Sequence, residues 1–275
     1  MLIQTDQELR SYLPNVFATC DGEVSLFDKL NFFLSNSERW LAAYFVGDTH
    51  LATISSSSGS PLRSLCCQIV VADAFHGALP SLDLVLTPNG FGIVSNNNVA
   101  PASADRVNRL GDALIANRDQ LLTSLLLSLA EDNAWRESEQ GQYFAATLWP
   151  DLHLATMCGY TSEKWEHYRT LRNALITIER ELAEKYISDV LYSRFRQHFL
   201  SRSMTVQEKP IIDTLRSLEV ELLQGKPLNY SLLMSLVQQI RSDTTHFAEW
   251  QTSATAQLYQ LPQFENKKKS TAFWW

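Results

Sequence analysis

Glycine and proline are scarce in this sequence, with 10 and 9 among 275 residues. So thin a supply of turn-formers argues against an all-β, loop-rich or low-complexity chain. Cysteine is scarce as well. Cys20, Cys66, Cys67 and Cys158 include no C-x-x-C pair, and the adjacent Cys66 and Cys67 suit neither zinc spacing nor easy mutual pairing. They read as buried free thiols, in keeping with folding in a reducing cytosol. Positive charge is short too, 23 Lys+Arg against 30 Asp+Glu, for a net −7. The deficit is uneven: residues 1–160 hold 8 basic and 17 acidic side chains, a balance of −9, whereas residues 161–275 hold 15 and 13, a balance of +2. No region is basic enough to bind nucleic acid specifically, since Lys267, Lys268 and Lys269 make only a small cluster. Long apolar runs are missing: the most apolar stretch, Leu121 to Ala130, falls far short of the ~20 residues that span a bilayer. The first ten residues lack the basic-then-apolar pattern of a secretory signal. Neither a membrane segment nor a leader is expected.

Catalytic patterns are absent in the same way. The six histidines (His50, His76, His153, His167, His198, His246) include no H-E-x-x-H and no His-x-His pair. Gly90-Phe91-Gly92 has the look of a glycine-rich loop, but it leads into a strand and not into a phosphate-binding helix, and no G-x-G-x-x-G or G-x-x-x-x-G-K is present. Ser95 and Ser103 have no G-x-S-x-G context. Glu131-Asp132 and Glu179, Glu181 and Glu184 read as helix-surface charges, with Glu181 and Lys185 an i,i+4 pair. The sequence nominates no catalytic residue, no cofactor and no metal ligand.

What is present is 45% apolar residues arranged mostly at helical spacing. Residues 5–12 predict a short helix capped by Thr5 or Asp6. Leu26 to Phe45 predicts a helix interrupted at Ser35-Asn36-Ser37. Pro61 suits a first helical position, opening a helix that stops before Pro80. Leu82 to Ser95 carries a hairpin pattern: Leu82, Leu84 and Leu86 alternate with polar or β-branched neighbours, Pro88-Asn89-Gly90 is turn chemistry, and Phe91 onward returns. Ser103 then caps a helix some 40 Å long at 1.5 Å per residue, with Val107, Leu110, Leu114, Leu121, Leu125 and Leu129 on one face. Residues 133–160 are less regular and aromatic. Thr161 or Ser162 caps the next helix, whose stripe from Trp165 to Leu182 continues with a bend through Phe199. Further helices are predicted from Pro210 to Leu223 and from Tyr230 to Tyr259. A faint echo, Ser37-Glu38-Arg39-Trp40 against Ser162-Glu163-Lys164-Trp165, lies 125 residues apart and is too short to establish duplication.

The fold class is therefore mainly α, a helical bundle with a β-hairpin insertion at about residues 82–95 and room for two helical subdomains. The expected division is a helical domain with the hairpin at 1–160, an antiparallel bundle at 161–262 and an aromatic tail at 263–275. Two features ask for a partner. The hairpin and its following loop (Asn89, Gly90, Phe91, Gly92, Asn96, Asn97, Asn98) offer strand edges, and Phe273, Trp274 and Trp275 close the chain with side chains that favour a groove over water.

The segment LTPNGFGIVSNNNVAPASADRVNRL and the ending FENKKKSTAFWW resemble an uncharacterised protein family of gut Bacteroidales phages and prophages. The shared positions are Asn89 to Asn96, Ala100 to Val107 and Glu265 to Trp275. The resemblance implies a virion structural role, a head–tail connector or neck subunit that forms a homo-oligomeric ring between portal and tail. DNA would pass through the ring without specific binding, and assembly would take place in the bacterial host cytoplasm. It implies no catalytic residues. The sequence alone leaves open an adaptor that binds one partner through its aromatic tail, and an enzyme with an unrecognised site.

Overall fold

The computed structural model describes residues 1–13, 24–57, 59–82, 84–87, 90–93 and 103–260. The protein is mainly helical, and its helices follow one another in the same order twice. The first series is α1 (Asp6–Tyr12), α2 (Leu26–Leu41), a π-helical turn (Ala42–Val46), α3 (Asp48–Ser56), α4 (Pro61–Ala78), α5 (Ala104–Leu129), α6 (Asn133–Glu137) and α7 (Glu139–Ala145). The second is α8 (His153–Met157), α9 (Lys164–Leu182), a π-helical turn (Ala183–Ile187), α10 (Asp189–Leu200), α11 (Glu208–Leu223), α12 (Tyr230–Ser242), α13 (Ala248–Gln251) and α14 (Ala254–Gln257).

The centre of the first half is α4. Its buried residues, among them Cys66, Cys67, Ile69, Val70, Val71 and Phe75, go most of the way round the helix, as a helix covered on several sides requires. It packs between α2 and α5. Pro61–Ser81 is also the one segment among the described residues long and apolar enough to cross a membrane, by length and composition, and half of that window is buried inside the protein. Local chemistry sets several boundaries. Thr5 and Ser25 cap α1 and α2 by accepting the backbone N–H groups of Glu8 and Asp28 at 3.2 and 3.1 Å. Pro61 opens α4, and Gly225, at φ +76°, follows the end of α11.

Between α4 and α5 lie a 3₁₀ turn (Leu79–Ser81) and two four-residue strands, β1 (Leu84–Thr87) and β2 (Gly90–Ile93). They pair antiparallel, Leu84 opposite Ile93 and Thr87 opposite Gly90. Of the stretch from 82 to 95 read from the alternation, Leu84–Thr87 and Gly90–Ile93 pair, and residues 83, 88, 89, 94 and 95 lie outside the described residues. Leu82 closes the 3₁₀ turn instead of entering a strand.

Other expectations need correction. The helix from Leu26 does not break at Ser35-Asn36-Ser37: Ser37 is buried and its hydroxyl donates to Asp73 at 2.6 Å, so the polar residue is satisfied across to α4. The irregularity comes later, at the π turn. Neither Thr161 nor Ser162 caps α9. The residue before it, Glu163, is left-handed (φ +50°), and the N–H of Lys164 donates to Asp119 of α5 at 2.7 Å. The cap is supplied by tertiary structure. The stripe read through to Phe199 is divided at Ser188, and the span from Tyr230 to Tyr259 is three helices, with Ser253 capping the last. The Ser-Glu-Arg-Trp echo is not structural, because Ser37–Trp40 lie within α2 whereas Ser162 and Glu163 precede α9.

Candidate assembly surfaces and the sockets that frame them

The correspondence between the halves is closest at the two π turns. Glu38-Arg39-x-Leu41-Ala42 and Glu179-Arg180-x-Leu182-Ala183 lead into them, and Asp48 and Asp189 follow. Each closes with an i→i+5 hydrogen bond of 2.8 Å, Gly47 N–H to Ala42 and Ser188 N–H to Ala183. Each ends on a residue of nearly identical backbone, φ +86° and ψ 144° at Gly47, φ +82° and ψ 145° at Ser188. Such angles suit glycine and strain serine. Ser188 recovers part of the cost by capping α10, accepting Leu191 N–H at 3.3 Å.

Each turn forms a socket for one tryptophan. The indole N–H of Trp135 donates to the Phe45 carbonyl at 2.8 Å, and that of Trp250 donates to the Tyr186 carbonyl at 2.9 Å. Both tryptophans are buried, and each is followed by a serine, Ser138 or Ser253, whose hydroxyl returns to the tryptophan carbonyl at 2.6 Å and caps the next short helix. Gln140 donates to the Ala43 carbonyl at 3.2 Å, and Thr255 donates to the Glu184 carbonyl at 3.1 Å, the same place in the second turn. The start of each half repeats too. Leu2 N–H donates to Glu38 at 2.8 Å, and Leu148 N–H donates to Glu179 at 2.7 Å. Each half is thus closed on itself by its own latch.

The halves meet through an aromatic and charged junction. Trp165 and Tyr168, near the start of α9, are buried against the first π turn and α7: Trp165 lies 4.5 Å from the Phe45 ring, and Tyr168 lies 5.7 Å from Phe144. Arg169 sits over Tyr44, and Arg172 donates to the Tyr143 carbonyl at 2.9 and 3.1 Å. Arg118 of α5 is buried with ion pairs to Asp73, Asp119 and Glu166. Charges that deep are tolerated because they are paired.

The second half also buries two carboxyls. Glu179 receives Leu148 N–H and Arg196, while Glu219 receives the Tyr192 hydroxyl and, at 2.8 Å, the Trp149 indole. Burial pushes Glu179 up to about 7, and burial with the neighbouring Glu179 charge raises Glu219 well above the usual carboxylate range. The reading of Glu179 as a surface charge is therefore corrected. Nothing in its local sequence marks it, since Glu181 and Glu184 beside it are exposed. Burial likewise raises the Cys66 thiol to about 12 and lifts Cys67 above its usual value, so both are poor nucleophiles in the folded chain.

A cleft of about 610 Å³ lies between the first half's α6–α7 and α10, with Arg136, Glu137, Arg196 and His198 on its walls. Among the described residues no group of three His, Cys, Asp or Glu side chains is disposed to hold a metal ion. Of the residues nominated for partner contact, Gly90, Phe91 and Gly92 are placed on β2. Asn89, Asn96, Asn97, Asn98, Phe273, Trp274 and Trp275 lie outside the described residues.

The structure thus defines a helical protein of two similar halves, each locked by a tryptophan in a π-turn socket. A family model described as a family of unknown function, DUF6712, matches residues 22–145, the part of the first half from just before α2 through α7. No curated protein and no solved structure matches the chain.

Proposed function

We propose that this protein is a virion structural subunit, a head–tail connector or neck adaptor that assembles as a ring between portal and tail. The observation that carries the reading is the place of the hairpin. The second half joins α11 to α12 through residues 224–229, whereas the first half carries β1 and β2 between the matching helices. The two strands pair with each other, and no third strand joins them among the described residues. Their outer edges carry backbone N–H and C=O groups that a neighbouring subunit can complete by strand addition. In this reading β1–β2 is an arm inserted into one half of a rigid helical body, and the aromatic ending Phe273–Trp275 is a second contact, anchored in an adjoining subunit. The subunit's task is positional, not catalytic, and DNA passes through the ring without specific recognition. Light scattering and negative-stain imaging, on the purified chain alone and mixed with portal protein, test it. Rings or a defined portal complex are expected; monomers under both conditions would overturn it.

A further inference from the structure

We infer that the chain associates head to tail with a second copy of itself, through surfaces that repeat the junction between its own two halves. The inference deepens the ring reading by naming the contact. Placing the π turns in register, 141 residues apart, matches Leu34 with Leu175 and Leu41 with Leu182, all buried. The same register sets Trp165 and Tyr168, which the first half buries, against Val24 and Phe27 at the start of α2. Val24 is 63% exposed and Phe27 only partly buried. The donor side of the junction thus recurs at the start of the first half, where Val24 is exposed and Phe27 is packed only in part against the core.

The acceptor side recurs at the far end. The surface that receives the start of α9 is built from the first π turn and α7, against Trp165 and Tyr168, and from α5, against Lys164 and Glu166. Its counterparts in the second half are Tyr186 on the second π turn, Leu258 and Tyr259 at the end of α14, and Tyr230 at the start of α12. These residues adjoin: the Tyr259 hydroxyl donates to the Lys185 carbonyl at 3.0 Å, and Tyr186 and Tyr230 share one groove. Tyr230 is 62% and Leu258 69% exposed. An apolar acceptor at one end and an apolar donor at the other, each the image of a contact already made once, fit a second copy of this chain.

Charge agrees with that occupant. Inside the chain Arg169 lies over Tyr44. The matching positions are Asp28, which accepts from Ser25, and Lys185, which pairs with the exposed Glu181 at 3.2 Å. Both are on the surface and opposite in sign, so the internal cation–π contact is replaced by an ion pair between copies that competes with Glu181. Contacts of this heterologous kind generate a ring when the rotation closes and a filament when it does not.

Analytical ultracentrifugation of the full chain over a range of concentrations tests the contact. Leu258→Asp should raise the concentration of half-association more than tenfold, and its circular dichroism melt should match the parent. Asp28→Lys and Lys185→Glu should each weaken association several-fold, and the double variant should restore it. If the parent associates but Leu258→Asp and the single charge changes leave it unaltered, the contact is wrong while the ring reading stands. Association that survives those changes but is lost on deleting residues 261–275 likewise overturns it in favour of the tail. A parent that remains monomeric, alone and with portal protein, removes both the contact and the ring.

Discussion

Replacing Trp135 or Trp250 by phenylalanine is the sharpest test of the two-socket architecture. Each indole N–H satisfies one carbonyl, that of the buried Phe45 or that of the half-buried Tyr186. Phenylalanine keeps an aromatic ring but removes the donor. An orphaned buried acceptor costs about 1–3 kcal/mol. The smaller ring also leaves space, and at ~24 cal/mol per Å³ a void of some tens of Å³ costs about 1 kcal/mol. The sum is about 2–4 kcal/mol for either substitution, a large share of the 5–15 kcal/mol that stabilises typical domains. Because the sockets repeat, the two losses should be similar. Because Trp135 stacks on Phe144 and Trp250 lies against Tyr259, they share no ring partner, and the double variant should lose nearly the sum. Urea unfolding followed by circular dichroism at 222 nm gives these values directly. A loss below about 0.5 kcal/mol at either position would refute the claim that both π turns need their latch.

Three further outcomes follow from the same geometry. The folded state holds Glu179 and Glu219 above the value of 4.5 usual for a free glutamate, so between that value and the folded ones it binds more protons than the unfolded chain. Stability should therefore fall as pH rises from about 5 through 7 and beyond, and Glu219→Gln should flatten the decline; a urea midpoint that climbs over pH 5–9 would contradict this. Gly47→Ala should cost about 1–3 kcal/mol, since the position has φ +86° and the new Cβ would meet Gln140 Oε1 at 3.0 Å, whereas Ser188→Gly should relieve similar strain, less the lost cap, which paired melts would register as opposite shifts. Asp119→Ala removes one of the three carboxylate partners of Arg118 and the cap of α9, and should cost about 1–3 kcal/mol and separate the melting of the two halves, visible as a second calorimetric transition.

Much of the helical order was legible because it rests on short-range rules. The leucine spacing from Leu110 to Leu129, Pro61 at a first helical position and Thr5 at a cap each act within a few residues, and each fell where the pattern placed it. The repeat was not legible. Its signature is a helix with one residue too many, and a π turn keeps an apolar spacing that the eye completes as ordinary helix. Trp135 fell in a stretch read only as irregular and aromatic, and Trp250 drew no reading, since only the folded backbone shows the carbonyl each one meets. Glu179 read as surface charge for the same reason: a carboxylate's partners, Leu148 N–H and Arg196, come from distant sequence. Among the nominated partner residues, only Gly90, Phe91 and Gly92 are placed, on β2.

The sequence by itself determined that the chain is mainly helical and apolar enough for a sizeable core, because periodicity and turn chemistry are properties of neighbours along the chain. Tertiary structure alone decided that the helices form two matched halves. It also decided that an aspartate on α5 caps α9, and that each half buries a tryptophan against its own π turn. Those facts depend on hydrogen bonds and burial between residues far apart along the chain, 45 positions for Lys164 and Asp119 and 90 for Trp135 and Phe45, and no local pattern encodes them.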